Sequence, residues 1–282
     1  RARLVLQETA DLQPKNLQAW AMLALVQMQQ NEIEDVEKVL LPKMEKIAGT
    51  VDNYFLQITR AQVWMKKGTD LTAKKTAREA FIRAAMLRPD IPGVKDMILQ
   101  LDIAMNDQSG AELHARQVLR TNRKHALANY VMGSLRLQEG AYGEAEDFLR
   151  RSVETNPSAA ALNDLAEVLR RIKRFDDAEK YVRQAIKLNP DLYVSWETLA
   201  SVLLESNKDL NEAESAIRKA VSLFKDDLRV NITLARIQLK KGDIEMARGT
   251  IRQVKSQQGN LSRFDQEELA RVAEQAASGR SR

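Results

Sequence analysis

Apolar and polar positions recur along this chain with the period of an amphipathic helix, and one helical pattern occurs twice in close succession. The segments YGEAEDFLRRSVETNP (142–157) and FDDAEKYVRQAIKLNP (175–190) each begin with an aromatic residue, continue through Ala-Glu and end at Asn-Pro. Apolar residues three and four positions apart predict a helix with one buried face. Because the two segments start 33 residues apart, we expect a repeated structural unit.

A small side chain marks the second helix of each unit at a nearly constant spacing. Taking Ala178 as the anchor, Ala (Val in one case) recurs at intervals of 34, 41, 34, 34, 33, 35 and 34 residues. Turn residues such as Asn31, Gly68 and Gly140 lie between this helix and a preceding apolar stripe. The sequence of each unit therefore predicts two helices, A and B, that cross closely at small residues. The anchors are Ala2, Val36, Ala77, Ala111, Ala145, Ala178, Ala213 and Ala247.

This pattern resembles the tetratricopeptide repeat, whose unit of 34 residues has a small residue in helix A, Ala in helix B and Pro near its end. The resemblance covers nearly the whole chain. It implies an all-α fold, a right-handed solenoid of antiparallel helix pairs that forms a superhelix, with an irregular N-terminal portion. It also implies a concave, protein-binding face lined by the A helices. The best-matching unit supplies Leu162, Leu165, Ala166, Leu169, Phe175, Ala178, Val182, Ala185 and Pro190.

The repeat period gives the expected domain organisation. Because Pro42 falls within the helix B pattern of the first unit, we expect a kink or break there. Residues 1–16 are expected to end a truncated preceding repeat. A capping helix with Ser262 as its N-cap is expected over 260–277, followed by a disordered tail over 278–282. Two irregular units are assigned to 17–50 and 51–91, and five further units to 92–125, 126–158, 159–192, 193–227 and 228–259.

Composition agrees with a folded helical chain and excludes several kinds of site. The 282 residues are 44% hydrophobic and 29% charged, which is enough for a core. Without cysteine, no disulfide, zinc-thiolate site or thiol nucleophile is available, and a bacterial source is favoured. The net charge of +5 comes from 44 basic and 39 acidic residues, a mixture that does not indicate nucleic acid. No apolar run approaches the roughly 18 residues of a membrane span, so we expect only indirect membrane contact.

No combination of residues indicates catalysis. His114 and His125 are the only histidines, and neither belongs to a metal-binding motif. Acidic pairs such as Asp176 and Asp177 are expected at helix starts, where they favour the positive end of the helix. We therefore expect no enzyme activity, no metal and no small-molecule cofactor.

The A-helix stripe beside the packing stripe is the expected binding surface. From residue 126 onward it is polar, and we predict that it holds a protein or an extended peptide through charge-assisted hydrogen bonds. A solvated face with local ion pairs is the alternative. The stripe also includes Asp164, Ser201 and Glu205. The predicted partner-binding residues are Tyr130, Ser134, Asn163, Glu167, Arg170, Arg171, Glu197, Arg229, Arg236 and Lys240.

A second candidate groove lies in the first two units, where the same stripe is apolar. It comprises Met22, Leu25, Met28 and Met65, and flexible thioethers suit an adaptable surface. The alternative is that neighbouring parts of the chain bury these residues.

The leading hypothesis is a protein- or peptide-binding scaffold or adaptor within a larger bacterial protein. The alternative is a helical scaffold domain of a bacterial envelope system that exports or assembles polysaccharide or protein. The sequence begins within a helical pattern and without Met, so we expect a fragment, and both the bacterial cytoplasm and the periplasm stay open. The Lys and Asn set with which related domains hold the carboxylate end of chaperone tails is absent. Glu167 lies one helical turn from Asn163 and would repel a carboxylate, so we do not expect that ligand.

Overall fold

Helices form both of the compact units into which the chain divides in the computed structural model, residues 1–123 and residues 124–282. The structure describes residues 1–50, 52–257, 259, 261 and 263–278. Unit one contains α1 (Ala2–Leu12), α2 (Leu17–Gln29), α3 (Ile33–Asp35), a π-helical segment (Val36–Leu40), α4 (Leu41–Ala48), α5 (Tyr54–Lys67), α6 (Leu71–Leu87), α7 (Pro92–Ala104) and α8 (Gln108–Thr121). Unit two contains α9 (Ala126–Gln138), α10 (Tyr142–Thr155), α11 (Ala159–Arg171), α12 (Phe175–Leu188), α13 (Tyr193–Glu205), α14 (Leu210–Leu223), α15 (Leu228–Lys241), α16 (Ile244–Lys255) and α17 (Arg263–Ser278).

Successive helices pack as pairs, and each pair packs against the next within its unit. In unit two, α9 packs on α10, α10 on α11, and so on to α16, while α17 contacts both α15 and α16. The A helices α9, α11, α13 and α15 also contact one another in that order. The predicted fold class, an all-α solenoid of antiparallel helix pairs, is confirmed. The expected N-cap Ser262 and the tail from 279 onward lie outside the described residues.

Small residues lie where the helices cross most closely. Ala166 and Ala178 have no exposed surface, and Gly133 occupies the equivalent A-helix position on α9. A Cβ atom at Gly133 would lie 2.5 Å from Cγ of Leu149 on α10, which is closer than any real contact. Because α9 and α10 approach to this distance, the crossing needs a residue without a side chain.

The short connections follow from the residue types at the helix ends. In unit two, the turns between helices A and B contain a residue with positive φ, which Gly and Asn adopt most readily. Gly140, Asn207 and Gly242 fit this rule, whereas Lys173 holds a φ of 62° with a long side chain. At helix starts, side-chain oxygens accept backbone N–H groups and satisfy the first turn. These N-cap residues are Asn16, Asn53, Asp70, Asp107, Ser158, Asp209 and Asp227.

The second helix of the first pair changes its hydrogen bonding just before Pro42. Helical segments follow one another without interruption from Ile33 to Ala48. The N–H of Leu41 donates to the carbonyl oxygen of Val36, five residues back. Pro42 has no N–H, and the wider π turn makes room for its ring. The helix therefore continues through the proline with a π-helical segment, where the sequence indicates a kink or break.

Candidate functional site

A groove of about 510 Å³ lies along the A helices of unit two. Helices α11, α13, α15 and α17 line it, and we call it the A-helix groove. Six of the residues predicted to contact a partner are among those that line it: Glu167, Arg170, Arg171, Glu197, Arg229 and Arg236. The structure adds residues that sequence analysis did not assign to a binding site, among them Lys173, Thr233, Asp265, Glu268 and Arg271.

A network of ion pairs connects four helices along the A-helix groove. Arg170 donates from Nε and Nη2 to the two oxygens of Glu167 at 2.8 and 2.7 Å, and from Nη1 to Glu205 at 2.5 Å. The same Glu205 oxygen accepts from Arg236 at 3.1 Å. Arg236 Nε lies 3.2 Å from Glu268 on α17. Bidentate geometry and shared partners fix these side chains in place before any ligand arrives.

Electrostatics keep both ends of the central pair charged. Burial acts to lower the pKa of the Arg170 guanidinium, but Glu167 and Glu205 outweigh it and raise that pKa. Burial acts to raise the pKa of Glu167, but Arg170 and Arg171 hold it below its usual value. Arg170 and Glu167 therefore stay ionised as a pair on the wall of the groove.

Arg229 and Glu197 form a looser pair at the groove. Oε1 of Glu197 accepts the hydroxyls of Ser201 and Thr233, both at 2.9 Å. Its Oε2 lies 4.0 Å from Nη2 of Arg229, whose side chain is 56% exposed. Arg229 therefore presents guanidinium donors that a partner can reach.

Four polar side chains meet at the α9–α11 end of unit two, without a cation in contact among the described residues. Asn163 donates from Nδ2 to Oδ1 of Asp164 at 3.4 Å, and Ser134 is hydrogen-bonded to the same carboxylate. Burial raises the pKa of Asp164 to about 6. Burial, followed by the charge of Asp164, raises the pKa of Tyr130 to about 12. We call these four residues the acceptor cluster.

The remaining predicted positions fall elsewhere. Lys240 lines a separate recess of about 300 Å³ among α13, α15 and α17. In unit one, Met22, Leu25 and Met65 are exposed, as an apolar groove would require. The prediction that Met28 lines this groove is wrong. Its side chain is 4% exposed and packs in the core of unit one.

The two histidines have structural partners. Nδ1 of His125 accepts the N–H of Ala128 at the start of α9, and Nδ1 of His114 lies 2.7 Å from the buried carboxylate of Asp102. Among the described residues, no group of three His, Cys, Asp or Glu side chains could hold a metal ion. None of the described helices is both long and apolar enough to cross a membrane.

Stacked helix pairs with a polar groove along their A helices define a repeat scaffold for protein interaction. Models of the tetratricopeptide repeat family match residues 100–160, 159–192 and 203–269. The chain belongs to this family.

Solved structures show the same fold at low sequence identity. A tetratricopeptide repeat protein from Parabacteroides merdae has a TM-score of 0.60 and 17% identity, covering 91% of this chain and 98% of that one. The match to the Cut9–Hcn1 heterotetramer of the APC/C has a TM-score of 0.62 and 14% sequence identity, and it covers 84% of this chain and 45% of that one. YrrB is described as having an unusual peptide-binding site. Its match has a TM-score of 0.52 and 17% sequence identity, and it covers 70% of this chain and 99% of that one.

One curated relative is an enzyme. Protein O-mannosyl-transferase Tmtc3 from Drosophila melanogaster is 29% identical over 103 residues, which is 36% of this chain and 11% of that protein. The chain therefore spans about a tenth of that relative, and less than half of the Cut9–Hcn1 chain it matches. These similarities give no positive evidence of catalysis, and together with the family they support a protein-interaction scaffold.

Proposed function

We propose that the A-helix groove binds an extended peptide segment of a partner protein, so that the chain acts as a scaffold or adaptor domain. The observation that carries the proposal is the preorganised network of Arg170, Glu205 and Arg236, which holds a polar groove open across α11, α13 and α15. A groove that is already ordered loses little side-chain freedom on binding, which favours affinity. The peptide-binding site ascribed to YrrB, which shares this fold, supports the same use of the repeats.

Two sets of residues have different roles in this proposal. Arg170 and Glu167 face each other and keep the groove in shape, so they contribute little direct contact. Arg229 and Arg271, with side chains 56% and 66% exposed, offer donors to acidic groups or backbone carbonyls of the peptide. The carboxylates of Asp164, in the acceptor cluster, and of Glu197 supply the opposite charge.

A random peptide library displayed on phage, selected on the full 282-residue chain, tests the proposal. The variant Arg229→Gln removes a groove cation, and Arg252→Gln removes an equal charge from an exposed position on α16. We expect selected peptides to bind Arg229→Gln roughly 3- to 10-fold more weakly, in line with a partly exposed charge-assisted contact. Binding to Arg252→Gln is expected to equal that of the wild type.

Hydrogen exchange of the complex locates the peptide. We expect slower exchange in α11, α13 and α15 on binding. Selection that returns no binder, or protection confined to the B helices, would overturn the proposal.

A further inference from the structure

The acceptor cluster, Tyr130, Ser134, Asn163 and Asp164, holds a carboxylate without an ion pair and an amide oxygen without a hydrogen-bond donor among the residues that the structure describes. We infer that it binds the basic side chain of a lysine or arginine in the partner peptide. This inference rests on the proposed function, and it adds the chemistry that one end of the site selects.

Asp164 differs from acidic residues that line the A-helix groove. Glu167, Glu205 and Glu268 each form an ion pair with an arginine. Within the described part of the chain, Asp164 forms none, and its recorded partners are the hydroxyl of Ser134 and the amide of Asn163. A largely buried carboxylate is stabilised when a cation reaches it, because burial has removed most of its water.

The side-chain amide of Asn163 provides an independent observation. Asn163 is 7% exposed, and its Oδ1 is buried with no hydrogen-bond partner in the described structure. The opposite amide orientation would place this oxygen against the carboxylate of Asp164, which repels it. The oxygen therefore stays an acceptor without a donor, beside a second acceptor that carries a charge.

A ligand with several N–H donors satisfies both oxygens at once. A lysine ammonium has three donors and an arginine guanidinium has five. The hydroxyls of Ser134 and Tyr130 add further acceptors at the same place. A metal ion fits poorly, because Asp164 is the cluster's only carboxylate.

The charges near the cluster agree with a cation. Glu167, one helical turn further along α11, acts on Asp164 as a second negative charge, and Arg229 acts on it as a positive charge without forming an ion pair with it. A partner with a basic group at the acceptor cluster and an acidic group near Arg229 would complement the charges of both Asp164 and Arg229.

The experiment uses the tightest peptide from the phage selection, synthesised with an acetylated N-terminus. Each Lys in it is replaced in turn by norleucine and each Arg by citrulline. Dissociation constants are measured at pH 7.5 on the wild type, on Asp164→Asn and on Asp147→Asn. Asp147 is an exposed residue of α10, so Asp147→Asn controls for the loss of one negative charge.

The expected result is a coupling between one basic residue and Asp164. Neutralising that residue weakens binding about tenfold on the wild type and less than about twofold on Asp164→Asn. Asp164→Asn alone weakens the unmodified peptide about tenfold, and Asp147→Asn leaves it unchanged. Thermal unfolding verifies that each variant is folded.

Three outcomes would overturn the inference. Peptides that lose affinity on Arg229→Gln but bind Asp164→Asn as tightly as the wild type would leave the groove in use and remove the cation site. A peptide that binds only with a free N-terminus would assign the cluster to a terminal ammonium instead of a side chain. Selection without any binder would remove the proposed function and the inference together.

Discussion

At the scale of single residues, Asp164 holds a negative charge at a cost to the folded state. An aspartate in an unfolded chain has a pKa of about 3.9, and burial raises that of Asp164 to about 6. The favourable contribution of Asp164 to the free energy of unfolding is therefore fully present below about pH 4, where its carboxyl is protonated. This contribution is lost as the pH rises through about 6. The groups acting on it are Ser134, Asn163, Glu167 and Arg229.

Replacing this carboxylate with an amide tests that account. We expect Asp164→Asn to raise the free energy of unfolding by about 1–3 kcal/mol at pH 7.5, because the amide carries no charge to bury. Near pH 4 the difference should disappear, since both side chains are then neutral. Urea unfolding of both proteins at the two pH values measures this. If the two proteins differed in free energy of unfolding by the same amount at pH 4 and at pH 7.5, a buried charge could not be the cause of the difference.

At the scale of helix pairs, the closeness of the α9–α10 crossing depends on one missing side chain. Gly133→Ala places a Cβ atom 2.5 Å from Cγ of Leu149, so we expect a loss of about 1–2 kcal/mol despite the better helix propensity of alanine. Gly143→Ala is the matched control, because no atom lies within 4 Å of its new Cβ. That change should stabilise by roughly 0.5–1 kcal/mol. Thermal unfolding of both variants measures these changes in stability. If both substitutions stabilised the protein, or both destabilised it, the close crossing would be contradicted.

These crossings are the part of the structure that sequence predicts best. A residue such as Ala178 must be small in nearly every unit, so the requirement appears as a period in the sequence. The prediction of Met28 was wrong because it was assigned to the same stripe as Met22 and Leu25. Met28 lies four residues after Ala24 and eight after Trp20, both buried, so helical periodicity places it on the packing stripe of α2.

The groove chemistry was predictable in part for the same reason. Periodicity places Glu167 and Arg170 three residues apart on the groove-facing stripe, where a local ion pair is expected, but it cannot say that Glu205 joins Arg170 to Arg236. Glu268 and Arg271 belong to α17, which lies beyond the last repeat and has no periodic register. Their place at the groove is set by tertiary packing alone.

At the scale of unit two, α17 packs on α15 and α16 and covers apolar side chains of both helices. Leu269 is 2% exposed and packs among residues of α15 and α16, such as Leu239 and Ile251. We expect Leu269→Ala to lower the free energy of unfolding by about 2–4 kcal/mol, because it leaves a cavity in the core. Glu274→Ala, at an exposed position of the same helix, should have little effect.

Hydrogen exchange distinguishes a local effect from a global one. Since each repeat contacts mainly its neighbours, Leu269→Ala should speed exchange in α15, α16 and α17 before α9 to α12 respond. Equal acceleration across all of unit two would contradict this order.

The left-handed turn at Lys173 has a consequence for anyone who redesigns these repeats. Its counterparts Gly140, Asn207 and Gly242 adopt positive φ at little cost, whereas lysine there is strained, and its side chain lines the A-helix groove. A consensus sequence, which favours Gly or Asn at every such turn, would relax the backbone and remove a cation from the A-helix groove in the same step. If the groove binds as proposed, the more regular protein would distinguish its partners less well.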